Sequence, residues 1–84
     1  AQGDAARRAI DLRTQSLGEA YVLLGDALRQ QRKFPEAAAA LQNALSTNPK
    51  NYDVYVALAE VHRAQNKLDE SIRSFRQGYI NVVI

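Results

Sequence analysis

Hydrophobic side chains recur along this chain at spacings of three and four residues, which places them on one side of predicted α-helices. Two matching rows are Tyr21, Leu24, Gly25, Leu28 and Tyr55, Leu58, Ala59, His62. Two further rows are Ala37, Leu41, Ala44, Leu45 and Ser71, Phe75, Gly78, Tyr79. Together with the residues that begin and end helices, these rows predict helices over 3–15, 17–31, 35–47, 51–65 and 69–82.

The predicted boundaries rest on a few residues with known preferences for helix ends. Ser16 and Glu19 have the spacing of a capping box, which predicts that a helix begins after residue 16. Pro35 suits a first helical turn, where its missing N–H is not needed. The Asn48–Pro49 pair predicts the end of the preceding helix, and Asn66 is suited to the left-handed residue that closes the next one.

The chain also contains an internal repeat with a period of 34 residues. Residues 18–50 align with residues 52–84 without a gap. The identical pairs are Tyr21/Tyr55, Val22/Val56, Leu24/Leu58, Arg29/Arg63, Gln31/Gln65, Lys33/Lys67 and Glu36/Glu70. A period of this length accommodates two helices, so the repeat predicts a helix-turn-helix unit that occurs twice.

The repeated residues resemble the tetratricopeptide repeat. The first unit has its pattern at Tyr21, Leu24, Gly25, Leu28, Ala37, Leu41, Ala44 and Pro49. The second unit keeps Tyr55, Leu58, Ala59 and Phe75 but departs from the pattern at His62, Ser71, Gly78 and Val83. Pentatricopeptide repeats have nearly the same length, but the basic RNA-facing stripe that they usually carry is not found here.

The resemblance implies an all-α fold of antiparallel helix-turn-helix repeats that stack as a right-handed superhelical solenoid. Residues 17–51 and 52–84 are then two repeat units. Residues 1–16 are the second helix of a truncated preceding repeat or an N-terminal capping helix, since Ala9–Leu12 resembles the end of such a helix.

The resemblance further implies a protein–protein interaction module with a concave face formed by the first helix of each unit. The exposed positions of that face are Glu19, Val22, Asp26, Arg29, Asp53, Val56, Glu60 and Arg63. The arginines could contact carboxylates or backbone carbonyls of a partner peptide, and the acids could attract basic side chains. The Lys and Asn clamp that binds chaperone tails is replaced at these positions, which disfavours a Glu-Glu-Val-Asp type of tail.

Few residues suggest catalytic or metal chemistry. His62 is the only histidine, no cysteine is present, and His62 occupies a position that normally packs in the core. Phosphate-binding loops, nucleophile elbows and catalytic triad spacings are not found. The chain is therefore expected to be neither an enzyme nor a metal-binding protein, and no cofactor is expected.

Charge and hydropathy narrow the classes of partner. Eleven Lys and Arg against nine Asp and Glu give a net charge of +2, too small for a nucleic-acid footprint. Four of the six aromatic residues, Tyr21, Tyr55, Phe34 and Phe75, are expected in the repeat core. No apolar run is long enough to cross a membrane. A cytoplasmic protein is favoured, and a periplasmic one is the alternative if a leader was removed.

The C-terminal residues are unusually apolar for the end of a repeat array. Tyr79, Ile80, Val83 and Ile84 are candidates for self-association. One interpretation is that a following helix of a longer array covers them, and the other is that they pack against a second copy. The alternative function is accordingly a structural segment that forms a homo-oligomer or spaces other domains.

Overall fold

The computed structural model of the chain describes residues 2–83, with the side chains of Arg8 and of residues 12–83. It contains four helices: α1 (Gln2–Gln30), α2 (Phe34–Thr47), α3 (Tyr52–Ala64) and α4 (Leu68–Val83). Residues 2–83 contain no β-strand. The all-α fold is confirmed, and the predicted bounds of the last three helices agree with the structure to within one residue. None of the four helices is both long and apolar enough to span a membrane.

The helices form two hairpins that lie side by side. α1 packs on α2, α3 packs on α4, and α2 packs on α3 between the hairpins. A core of six buried residues joins α2 to α3: Ala37, Leu41, Ala44, Val54, Leu58 and Val61. The result is a slab of 51 × 31 × 13 Å, with broad faces and little thickness. These hairpins are the stacked repeat units that the period predicts, and the right-handed superhelical path stays a prediction.

Each hairpin turns through the same backbone motif. In the first turn the Lys33 amide donates to the Leu28 carbonyl at 2.9 Å and the Arg32 amide to the Arg29 carbonyl at 2.9 Å. The second turn repeats both hydrogen bonds 34 residues later, and Arg32 and Asn66 both have φ of 62°. This pattern is the Schellman motif, which satisfies the last carbonyls of a helix. The prediction of a left-handed Asn66 is confirmed.

Arg32 occupies a backbone conformation that favours glycine. An L-residue with a Cβ pays a steric cost in the left-handed region, whereas Asn tolerates it better. We expect Arg32→Gly to raise the free energy of unfolding by about 0.5–1 kcal/mol. Urea denaturation followed by circular dichroism measures it. Asn66→Gly is the matched variant, and its free energy of unfolding should rise by less. Equal increases in the two variants, or no increase in Arg32→Gly, would contradict this explanation.

The predicted break at residue 16 is wrong, because α1 runs without interruption for 29 residues. Ser16 and Glu19 lie inside the helix, where the backbone amides already have carbonyl partners, so they cannot form a capping box. Gly18 leaves room for the Thr47 side chain, whose hydroxyl would have to move if position 18 carried a Cβ. The division into residues 1–16, 17–51 and 52–84 remains a prediction.

Two residues expected in the core are partly exposed. Leu24 is 49% and Phe75 is 42% exposed, although both lie on predicted apolar rows. Each hairpin is covered by the other on one side only, so the outer flanks of α1 and α4 face solvent. The equivalent residues on the inner helices, Leu58 and Leu41, are buried. The expectation that Phe75 lies in the core was therefore wrong.

Tyr55 is buried and links α3 to α4 through a hydrogen bond. Its Oη donates a hydrogen bond to the Pro49 carbonyl at 2.8 Å and accepts one from Asn81 Nδ2 at 2.7 Å. Gly78 lies against the tyrosine, since a Cβ built on it would be 2.8 Å from Tyr55 Cβ. The departure from the repeat pattern at Gly78 thus permits the close approach of the two helices.

Candidate functional site

A groove of about 890 Å³ lies along α1 and α3, the first helices of the two hairpins. Its apolar lining includes Gly18 and Val22 on α1, Val54 and Ala57 on α3, and Ala44 on α2. The polar lining at the turn between the hairpins includes Thr47, Asn48 and Asn51. The groove has the volume of a typical ligand site, and both apolar and polar side chains line it.

Most of the positions that the repeat pattern assigns to a concave face lie in this groove. Seven of the eight line it: Glu19, Val22, Asp26, Arg29, Asp53, Val56 and Glu60. Arg63 does not line the groove and is exposed. The structure thus brings the two predicted rows together, apart from their last residue. That these residues bind a partner stays a prediction.

The charges in the groove differ from those of the whole chain. Four carboxylates and one guanidinium line it, a formal charge of −3, whereas the chain carries +2. Arg29 is already engaged: its Nη1 donates to Glu60 Oε2 at 3.1 Å, and its Nη2 lies 3.8 Å from Asp26 Oδ1. The Arg29–Glu60 pair links α1 to α3 across the groove.

Several lining residues were not predicted. Leu23 follows Val22 on α1 and is 70% exposed, the most exposed large hydrophobic residue among the described side chains. Helical geometry could have suggested it, because Leu23 lies four residues after Glu19 and three before Asp26, on the same side of the helix. Thr47, Asn48 and Asn51 belong to the turn between the hairpins. No periodic pattern marks such residues, so only the packed structure places them in the groove.

His62 is largely buried, as expected for a packing position, but it also faces a carboxylate. Its Nδ1 lies 3.4 Å from Glu70 Oε2 on α4 without forming a hydrogen bond, and its side chain is 15% exposed. This neighbour was not visible from the sequence, since it lies on a different helix. Among the described residues, no group of three or more His, Cys, Asp or Glu side chains is arranged to hold a metal ion.

The C-terminal residues predicted for self-association are exposed where they are described. Tyr79, Ile80 and Val83 are 56%, 42% and 60% exposed, and Ile84 lies outside the described residues. Tyr79 shares its face of α4 with Leu68, Ile72 and Phe75, whereas Ile80 is rotated by about 100° from it. Self-association through these residues stays a prediction.

Comparison with known proteins agrees with this geometry. A family model for the tetratricopeptide repeat matches residues 22–81, which include the last nine residues of α1, all of α2 and α3, and most of α4. Such repeats are generally non-catalytic scaffolds for protein–protein interaction. Comparisons with curated proteins and with solved structures return no match. Because the family model covers more than half of its length, the chain belongs to the tetratricopeptide repeat family.

Proposed function

We propose that this chain is a protein–protein interaction module whose groove binds an extended, basic segment of a partner protein. The observation that supports this proposal is the charge of the groove, which is −3 on a chain of +2. Opposite charges across an interface favour the correct partner and speed its association. An acidic segment would meet four carboxylates, so the groove disfavours it.

The ion pairs within the groove support a basic rather than an acidic partner. Arg29 is held by Glu60, so it would have to leave that carboxylate to bind one from a ligand. Glu19 and Asp53 make no ion pair among the described residues. These two carboxylates can therefore receive Lys or Arg side chains without breaking an existing contact.

The apolar residues of the groove add a second requirement. Val22 and Val56 are half-buried, and Leu23 projects into solvent beside them. An apolar side chain of the partner that covered these residues would remove hydrocarbon from water, at about 25 cal/mol per Å². The preferred segment therefore carries at least one apolar residue flanked by basic ones.

A pair of labelled peptides tests the proposal. In one peptide, Lys residues alternate with Leu or Ala residues. In the other peptide, Glu replaces every Lys. Fluorescence anisotropy at low and high salt should show that the Lys peptide binds more tightly than the Glu peptide. The affinity of the Lys peptide should fall at high salt, because salt screens the charges. We expect Glu19→Gln with Asp53→Asn to weaken its binding about tenfold, since two exposed charge pairs contribute about 1.4 kcal/mol together.

Glu36→Gln with Asp69→Asn is the matched control, because both acids are exposed outside the groove. That variant should bind the Lys peptide almost as well as the unmodified chain. Tighter binding of the Glu peptide would overturn the proposal. If that binding were then lost in Arg29→Ala and Arg63→Ala with the oligomeric state unchanged, the arginines would be the recognition residues.

A further inference from the structure

An unpartnered apolar face runs along α4. It is formed by five residues with alternating spacings of four and three: Leu68, Ile72, Phe75, Tyr79 and Val82. All five are exposed. Their repeat equivalents on α2 include Phe34, Ala38, Leu41 and Leu45, which are half-buried or buried. The difference arises because α3 packs on α2, whereas no helix within residues 2–83 packs on this side of α4.

A second unpartnered face lies at the other side of the molecule, on α1. It consists of Leu17, Ala20, Leu24 and Ala27, all exposed. The last three are the repeat equivalents of Val54, Leu58 and Val61, which are at most 2% exposed because they form the side of α3 that packs on α2. The α1 face is therefore the counterpart of the α3 surface that covers α2.

These equivalences make the two faces complementary. The contact between α2 and α3 is the template: the α4 face corresponds to its α2 side, and the α1 face corresponds to its α3 side. Side-chain sizes are exchanged between the two sides. Small Ala38 packs against the cluster that contains Val54 and Val61. Its equivalent Ile72 is larger, and the equivalents of the two valines, Ala20 and Ala27, are smaller. Large residues on one side with small ones on the other preserve the packed volume.

We infer that the α4 face binds the α1 face of a second copy of this chain, which continues the α2–α3 contact between molecules. The inference is independent of the groove and its ligand. The two faces are different surfaces, and α1 and α4 do not contact each other among the described residues. The contact is therefore head-to-tail, and each added copy again leaves one face of each kind open, so association does not close at a dimer.

The oligomeric state of the unmodified chain is the first test. Sedimentation equilibrium over a concentration series should show an average mass that rises beyond twice 9.3 kDa. A monomer at the highest concentration reached would overturn the inference, and the faces would then belong to a different helical partner. A mass that levels off at the dimer would also overturn it, since that result indicates a closed contact.

Three substitutions distinguish a head-to-tail contact from other arrangements of the two copies. Ile72→Glu places a charge in the α4 face and Ala20→Glu places one in the α1 face; both residues are exposed, so circular dichroism should show an unchanged fold. Each variant alone should remain at about 9.3 kDa. An equal mixture should form a dimer and stop there, because each variant keeps one intact face. Ile80→Glu, off the α4 face, is the control and should associate like the unmodified chain.

An α4–α4 contact gives a different pattern. Ile72→Glu would then prevent association, Ala20→Glu would leave it unchanged, and the mixture would not combine the two variants. Loss of association in Ile80→Glu would place the contact on the side of α4 that carries Ile80. Either result would overturn the head-to-tail arrangement.

Discussion

Replacing Leu41 by alanine is expected to remove a large part of the protein's stability and to lower its urea midpoint markedly. Leu41 is fully buried, and it belongs to the cluster that joins α2 to α3. It also contacts α1, since a Cβ on Gly25 would be 2.8 Å from Leu41 Cγ. Leu→Ala at such a site costs about 2–5 kcal/mol, because both hydrophobic burial and packing contacts are lost.

This cost is large for a chain of 84 residues, whose total free energy of unfolding is about 4–12 kcal/mol at typical values per residue. Urea denaturation followed by circular dichroism measures the change. Leu12→Ala is the matched control in a helix, because Leu12 is 58% exposed, and it should change stability by less than about 0.5 kcal/mol. Similar effects at the two leucines would contradict the assigned core.

The second large effect is expected for Gly78→Val. The new Cβ would lie 2.8 Å from Tyr55 Cβ and 2.9 Å from Tyr55 Cγ, atoms near the backbone that cannot swing away. Tyr55 or the whole of α4 must move, which strains the hydrogen bonds of Tyr55 Oη with Pro49 and Asn81. We expect a loss of about 2–3 kcal/mol from overpacking, measured by urea denaturation.

Gln77→Val is the control for the helical preference of valine, because Gln77 is the exposed neighbour of Gly78 on α4. It should cost no more than about 0.7 kcal/mol, the usual range of helix propensity. The loss of stability in Gly78→Ala should fall between the losses in Gln77→Val and Gly78→Val. A stabilised Gly78→Ala, as expected for a glycine at an open helical position, would show that α4 does not approach Tyr55 closely.

Much of the local structure was predictable because it depends on residues close together in the chain. The 34-residue period predicted the two hairpins, and Pro35 and the Asn48–Pro49 pair marked the limits of α2 correctly. Asn66 was predicted as left-handed because its side chain tolerates that conformation. Arg32 was not, although it holds the equivalent position, because arginine has no such preference and the backbone motif imposes the conformation.

The candidate groove was predictable only in part. The repeat pattern identified the rows on α1 and α3, and seven of the eight residues proved to be lining residues. It could not show that Arg29 is paired with Glu60, because that contact joins residues on different helices. The sequence analysis expected both the arginines and the carboxylates to contact a partner, and this pairing is the reason that the proposed function relies on the carboxylates.

The sequence by itself determined the repeated helical hairpin, the apolar side of each helix and the positions of the turns, since these follow from spacings within one or two helical turns. It did not determine the number of helices, because the break predicted at residue 16 is absent from α1. Only the tertiary structure decided which apolar residues are covered. Phe75 and Leu41 are repeat equivalents on similar helices, yet α3 packs on Leu41 and leaves Phe75 at 42% exposure. Burial depends on neighbours in space, and a periodic pattern does not specify how many neighbours each helix has.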